Sequence, residues 1–308
     1  MPAVSRLLML AGLSIVLVLA LVGVDVVVLR VNNPARALGN HYYMALGDSL
    51  SFGYQPNLDL SAGFADDIFN DLRPASVTEE INYACAGETT TTMIDGGCIL
   101  RFAHHGSYTG AQLQAAIDFL TNPRNMGRVS PITLEIGSND VLPDWDADTC
   151  TASPTTTADL DAMDANLTKT IFPELIKALE TPKGARTGDL HLLNYYNPYA
   201  KVCQNSAAFV NRFNHHLQDD AAQFRIAVVD VYTAFGGDTG MASHVCTYTW
   251  YCDARFHDIH PTTAGYKVIA KAVELALGLP GMGPLPAIMP MGAQAPREAA
   301  FWRRSGVA

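Results

Sequence analysis

Strand-like and helix-like segments alternate from residue 41 to about residue 277, and this alternation restricts the fold more than any other feature of the chain. Segment 63–72, for example, places Phe64, Ile68 and Leu72 on one helical face. Alternation over this length predicts an α/β fold, a three-layer α/β/α sandwich with a mostly parallel central sheet. The apolar β-rich runs, with their closing turns, lie at 41–49, 131–140, 190–198 and 225–231.

Small polar turns close three of these runs, at residues 47–49, 137–140 and 194–198. In open parallel sheets, ligands bind beyond the carboxyl ends of the strands, so we expect these turns to share one site. Tyr195, Tyr196 and Tyr199 follow the third run. They either line an acyl or sugar pocket or pack against the edge of the sheet, and the sequence leaves both interpretations open.

The first 37 residues differ from the rest of the chain. Arg6 precedes a long apolar run that ends at Leu29, which is typical of an export signal or a membrane anchor. Ala37 closes an A-x-A-like cleavage site. We therefore interpret residues 1–37 as a signal peptide or a signal-anchor. Cleavage after Ala37 and membrane attachment through residues 7–29 are both open alternatives.

The remaining chain divides into two parts. Residues 38–278 carry the strand–helix alternation without a low-complexity linker and are predicted to form one domain. Residues 279–308 are rich in Pro, Gly, Ala and Met, and we expect them to be disordered. An export segment predicts a protein that is secreted or associated with the cell envelope.

Six cysteines accompany the export segment, and their even number suggests three disulfides. Six cysteines allow fifteen pairings, so the connectivity does not follow rigorously from the sequence. A zinc site is the alternative, but the chain has no Cys-x-x-Cys pair, so we expect no metal. The simplest pairing closes the shortest loops, Cys85–Cys98 and Cys246–Cys252, and leaves Cys150–Cys203.

Four short segments carry residues suited to chemistry. In chain order they are Gly47–Leu50, residues 82–93, residues 137–140 and residues 256–266. Together these segments resemble the four sequence blocks of the SGNH (GDSL) hydrolase family, in the order of that family. The resemblance covers about residues 41–277. It implies a flavodoxin-like α/β/α domain and a serine esterase or lipase.

The resemblance implies a role for each of four residues. Ser49 is the expected nucleophile and His260 the general base, since an imidazole titrates near neutral pH. The backbone N–H groups of Ser49 and Gly87 and the side-chain amide of Asn139 are expected to form the oxyanion hole. Asn139 as a simple N-cap of the following helix is the alternative reading of that residue.

The chain departs from the family at the third member of the triad. The family has an Asp three residues before the His, but that position is His257 here, and Asp258 lies two residues before His260. Asp258 is the expected orienting acid, because side chains two residues apart in an extended segment point the same way. A backbone carbonyl or Asp253 are the alternatives.

These observations predict an exported carboxylic ester hydrolase that acts through an acyl-enzyme without metal or cofactor. The expected substrates are small-molecule esters, lipids or acylated carbohydrates. A formal net charge of -10 argues against nucleic acid as a partner. An acyltransferase or carbohydrate deacetylase with the same site is one alternative. A catalytically silent envelope protein that binds glycans or lipid is the other.

Overall fold

A computed structural model describes residues 41–75, 77–98, 100 and 106–279 of the chain. The predicted signal segment 1–37 and the tail beyond Leu279 lie outside the described residues. The sequence-based proposals for these two segments, membrane attachment included, therefore remain predictions. Within the described residues, no helix is long and apolar enough to cross a membrane.

Seven strands lie in the described residues, and five of them form one sheet with the order β2-β1-β3-β6-β7. All neighbouring strands in this sheet are parallel. The strands are β1 (Tyr42–Gly47), β2 (Glu79–Asn82), β3 (Val129–Glu135), β4 (Trp145–Asp146), β5 (Thr151–Ala152), β6 (Leu190–Leu193) and β7 (Ala227–Val229). Strands β4 and β5 form a separate antiparallel pair.

Helices pack in two groups around this sheet. The helices are α1 (Ser49–Phe52), α2 (Phe64–Leu72), α3 (Thr90–Asp95), α4 (Gln112–Thr121), α5 (Ser138–Val141), α6 (Thr156–Asn166), α7 (Phe172–Ala178), α8 (Ser206–Gln223), α9 (Val231–Ala234), α10 (Gly237–Tyr248) and α11 (Thr263–Leu277). One group joins α2, α9, α10 and α11, and the other joins α3, α4, α6, α7 and α8. The predicted α/β fold with a mostly parallel central sheet is confirmed.

The strand order also places the functional site. Counted along the chain, the sheet strands follow the flavodoxin-like order 2-1-3-4-5, which reverses direction between β1 and β3. Loops that leave these two strands diverge to opposite faces, so a crevice opens between their carboxyl ends. Ser49 follows β1 and Asn139 follows β3, so both residues lie at this crevice.

Burial explains why the central strands read as continuous apolar runs. Every residue of β3 is buried, as expected for a strand covered by helices on both faces. Glu135, the last residue of β3, carries an ionisable side chain that is buried like its apolar neighbours. Strand β2 lies at an edge, where Glu79 and Glu80 are more exposed, so its sequence lacks the apolar signal.

Three disulfides tie the loops around the sheet. The structure pairs the cysteines as Cys85–Cys98, Cys150–Cys203 and Cys246–Cys252, the pairing that the shortest loops suggest. The second bridge joins the β4–β5 pair to the loop after β6. No free cysteine is found among the described residues.

His191 on β6 should make stability depend on pH. It is fully buried, its ring nitrogens have no hydrogen-bond partner among the described residues, and burial lowers its pKa. The unfolded chain therefore binds a proton more readily below about pH 6.5, so stability should fall as the pH drops through that value. His191→Leu should remove up to about 1.4 kcal/mol per pH unit from the slope of unfolding free energy between about pH 7 and 5.

Denaturant unfolding at several pH values measures this slope. His215→Leu, at an exposed position of α8, is the matched control and should leave the slope unchanged. An identical slope in wild type and His191→Leu would contradict the prediction.

Candidate active site

A tight turn brings Ser49 to the carboxyl end of β1. Gly47 adopts a φ of 130°, and a Cβ at this position would overlap the backbone carbonyl of Glu135 on β3. Only glycine therefore lets the two strand ends approach so closely. Asp48 caps α1 by accepting from the N–H of Leu50 at 3.0 Å, and Ser49 becomes the first residue of this helix.

Ser49, His260 and Asp258 form a continuous hydrogen-bonded chain. The Ser49 Oγ lies 2.7 Å from His260 Nε2, and His260 Nδ1 lies 2.6 Å from Asp258 Oδ1. Asp258 also accepts from the backbone N–H of His260 at 2.7 Å. Burial alone would raise the pKa of Asp258, but its bonds with His260 outweigh burial and hold the pKa below its usual value. The carboxylate is thus the favoured form beside the imidazole.

An unusual backbone conformation lies next to the Asp258–His260 pair. His257 adopts a φ of 47°, in the left-handed region that non-glycine residues rarely occupy. Its ring packs on Tyr251 at 4.7 Å between centroids. Asp253, the other carboxylate considered from the sequence, instead binds Arg255 at 2.9 Å.

The sequence assigns three hydrogen-bond donors to the oxyanion hole, on Ser49, Gly87 and Asn139. The N–H groups of Ser49 and Gly87 have no acceptor within the part of the chain that the structure describes. Gly87 has a φ of 83°, which glycine adopts without strain. Asn139 lies in α5 and donates one amide hydrogen to the carbonyl of Glu88 at 2.9 Å. Its second amide hydrogen remains for another acceptor.

Asp48 holds together three of the loops that surround the site. Its buried carboxylate accepts from Ser138 Oγ at 2.6 Å and from the Tyr195 hydroxyl at 3.2 Å. Ser138 begins α5 beside Asn139, and Tyr195 follows β6. Burial raises the pKa of Asp48, and it raises that of the neighbouring Glu135 still further above its ordinary range.

Gln112 makes a second connection behind the turn. Its Oε1 accepts from the Gly47 N–H at 2.6 Å, and its Nε2 donates to the Gly47 carbonyl at 2.9 Å. The same Nε2 donates to Glu88 Oε2 at 3.0 Å. Gln112 thereby links the end of β1 to the loop that carries Gly87. Sequence reasoning missed Gln112 and Ser138, because their partners lie 24 to 90 residues away along the chain.

A cavity of about 330 Å³ opens beside Ser49, Asn139 and His260. The ring of Tyr54 also lies against the imidazole of His260, at 4.6 Å between centroids. The cavity walls come mainly from residues 142–145 and 195–199. The tyrosines after β6 thus both pack in the core and line the cavity. The sequence alone had left open which of these two roles they have.

One group of possible metal ligands lies within the described residues. Cys85, Glu88 and Cys98 bring their side-chain atoms close together. Both sulfurs belong to the Cys85–Cys98 disulfide, so neither offers the thiolate that metal binding requires. This group does not fit a metal ion.

A serine bonded to a histidine, itself bonded to a carboxylate, at the switch point of a parallel sheet defines the class of α/β serine hydrolases. The particular family follows from comparison with known proteins. The model of the GDSL-like lipase/acylhydrolase family matches residues 45–268, and the chain belongs to this family. No curated protein sequence matches.

Solved structures show the same fold at low sequence identity. A lipase from a goat rumen metagenome aligns with a TM-score of 0.54 and 20% identity, covering 76% of this chain and 96% of its own. A variant of an acetyl xylan esterase from Geobacillus stearothermophilus aligns with a TM-score of 0.50 and 16% identity, covering 80% and 100%. These similarities extend to the fold and leave the substrate of this chain undetermined.

Asp48→Asn should weaken the connection between the three loops. The substituted amide keeps one oxygen for Leu50, but its NH2 group faces the hydroxyls of Ser138 and Tyr195 and cannot accept from them. We expect the free energy of unfolding to fall by about 1–3 kcal/mol, with at least a roughly tenfold loss of kcat. Denaturant titration and hydrolysis of p-nitrophenyl butanoate measure the two effects.

The exposed Asp161→Asn on α6 serves as the matched control and should behave as wild type. An Asp48→Asn variant with unchanged stability and kcat would show that this carboxylate does not organise the site.

Proposed function

We propose that this protein is a serine hydrolase that cleaves carboxylic esters through an acyl-enzyme. The observation that carries the proposal is the unbroken chain from Ser49 through His260 to Asp258, with distances of 2.7 and 2.6 Å. Membership of the GDSL-like lipase/acylhydrolase family supports the same chemistry.

In the first step, Ser49 Oγ attacks the ester carbonyl carbon while its proton moves to His260 Nε2. Asp258 accepts the Nδ1–H of His260, which leaves Nε2 free to take this proton and stabilises the imidazolium that forms. The carbonyl oxygen becomes an oxyanion that accepts from the N–H groups of Ser49 and Gly87 and from the amide of Asn139. Donors held by the protein before the substrate arrives would stabilise this oxyanion with little reorganisation.

Collapse of this intermediate breaks the bond to the leaving oxygen, which takes the proton from His260 Nε2. The acyl group remains as an ester on Ser49. A water molecule then gives its proton to His260 Nε2 and attacks the acyl carbon through a second oxyanion. Release of the carboxylic acid returns Ser49 and His260 to their starting protonation states.

Export is part of the proposal. Disulfides persist in oxidising compartments outside the cytosol, and the described residues hold three of them. The apolar segment at 7–29 is the proposed export signal, and proteomic identification of the mature amino terminus would test whether it is removed.

Ser49→Ala removes the proposed nucleophile and changes the volume of the side chain by only one oxygen atom. Hydrolysis of p-nitrophenyl butanoate should fall at least roughly 1,000-fold, and the melting temperature should be preserved. A fluorophosphonate probe should label the wild type and fail to label this variant. Ser243→Ala, at an exposed position of α10, should retain both activity and labelling. Labelling of Ser49→Ala, or an unlabelled wild type, would favour the silent binding protein.

Asp258→Asn tests the orienting acid. An amide cannot stabilise the imidazolium, and its NH2 group can hold His260 in the wrong tautomer, so kcat should fall roughly 100- to 10,000-fold. The neighbouring Asp253→Asn is the matched control, since Asp253 binds Arg255 and should leave kcat within about twofold. If Asp253→Asn lost the activity and Asp258→Asn kept it, the assignment would be reversed.

A further inference from the structure

The cavity beside Ser49 has walls that are mostly aromatic and aliphatic. Leu142 and Trp145 come from the segment after α5, and Tyr195, Tyr196 and Tyr199 come from the loop after β6. Among the described residues that line the cavity, none is an Asp, Glu, Lys or Arg, and His260 is the proposed base. A site with this composition binds through apolar contact more than through charge.

The polar ends of two wall tyrosines are already occupied by protein partners. The hydroxyl of Tyr195 donates to Asp48, and that of Tyr196 donates to the carbonyl of Ile259 at 2.8 Å. The Tyr196 ring also stacks on Phe235 at 4.4 Å between centroids, which fixes its orientation. A sugar in this cavity would lose the water around its hydroxyl groups without gaining hydrogen bonds from the Tyr195 and Tyr196 hydroxyls. Burying polar groups without such bonds is energetically unfavourable.

The geometry around His260 decides which side of an ester enters the cavity. The leaving oxygen must lie at His260 Nε2, because that nitrogen protonates it. The carbonyl oxygen must lie at Gly87 and Asn139. Most of the cavity wall belongs to residues 142–145 and 195–199, and only Ile259 and His260 come from the segment that carries the base, so we assign the cavity to the remaining substituent, the acyl chain.

A disulfide holds the two walls together. Cys150 follows β4, and Cys203 lies in the loop after β6, just beyond Tyr199. Their bridge therefore joins the two segments that line the cavity. Asn205 adds a hydrogen bond from its Nδ2 to the Cys150 carbonyl at 2.8 Å. Walls fixed in this way give a preformed cavity of limited size, which favours ligands that fit without rearrangement.

We propose that this cavity is an acyl-binding site that selects apolar acyl chains of intermediate length over acetyl groups on carbohydrate. The inference rests on the proposed esterase function and adds its substrate class. Trp145 and Leu142 determine specificity by their shape, and the Cys150–Cys203 disulfide maintains the distance between the walls.

A series of p-nitrophenyl esters from acetate to dodecanoate tests the proposal. Each buried methylene should raise kcat/KM about fourfold until the cavity is full, so the optimum should lie near hexanoate or octanoate and decline beyond. An optimum at acetate, or faster release of acetate from acetylated xylo-oligosaccharides than hydrolysis of hexanoate, would overturn it.

Leu142→Trp provides a directed change, because Leu142 lies at the partly exposed edge of the cavity. The larger ring should narrow the cavity and lower the ratio of octanoate to acetate turnover at least about tenfold. Leu275→Trp is the matched control, since Leu275 is 60% exposed on α11, and its ratio should equal that of wild type. An equal ratio in Leu142→Trp would contradict the acyl site.

Binding of octanoate to Ser49→Ala, measured by calorimetry, separates the two proposals. This variant keeps the cavity and lacks the nucleophile, so it should bind octanoate more tightly than acetate. Octanoate binding without any Ser49-dependent hydrolysis in wild type would remove the esterase function and preserve the apolar site. Ser49-dependent hydrolysis without octanoate binding or a chain-length preference would preserve the function and overturn the site.

Discussion

The buried carboxylate of Asp48 is the interaction on which the geometry of the site depends. A carboxylate removed from water is unfavourable unless several donors surround it. Here the donors come from Leu50, Ser138 and Tyr195, so the group that would otherwise destabilise the core joins the ends of β1, β3 and β6. The desolvation cost of one charge thereby determines the relative positions of three loops.

The turn that carries Ser49 and the walls of the adjoining cavity are both held in fixed positions. The sheet reverses its order between β1 and β3, and this reversal opens the crevice in which Ser49 and Asn139 meet. The Cys150–Cys203 disulfide and the stacked Tyr196–Phe235 pair then hold the adjoining cavity in shape. Catalysis by fixed dipoles requires this kind of preorganisation, since donors that had to move would lose much of their advantage.

The segment before α11 combines a departure from the family's sequence pattern with an unusual backbone conformation. The acid lies two residues before His260, and a left-handed conformation at His257 accompanies this spacing. The contact between Asp258 and the imidazole is the same kind of charge-assisted bond that a three-residue spacing would supply.

The sequence by itself determined the parallel α/β architecture, the strand ends near Ser49 and Asn139, and the helix entrance near His260, because hydrophobic periodicity and turn chemistry are local properties. The short spacing between cysteines along the chain likewise suggested the disulfide pairing. Only the tertiary structure decided that Gln112 would clamp Gly47 and that Glu135 would be buried behind Asp48. Those contacts join residues that are distant in the chain. The tertiary packing decides which partner a buried polar group meets, and no local sequence pattern indicates that partner.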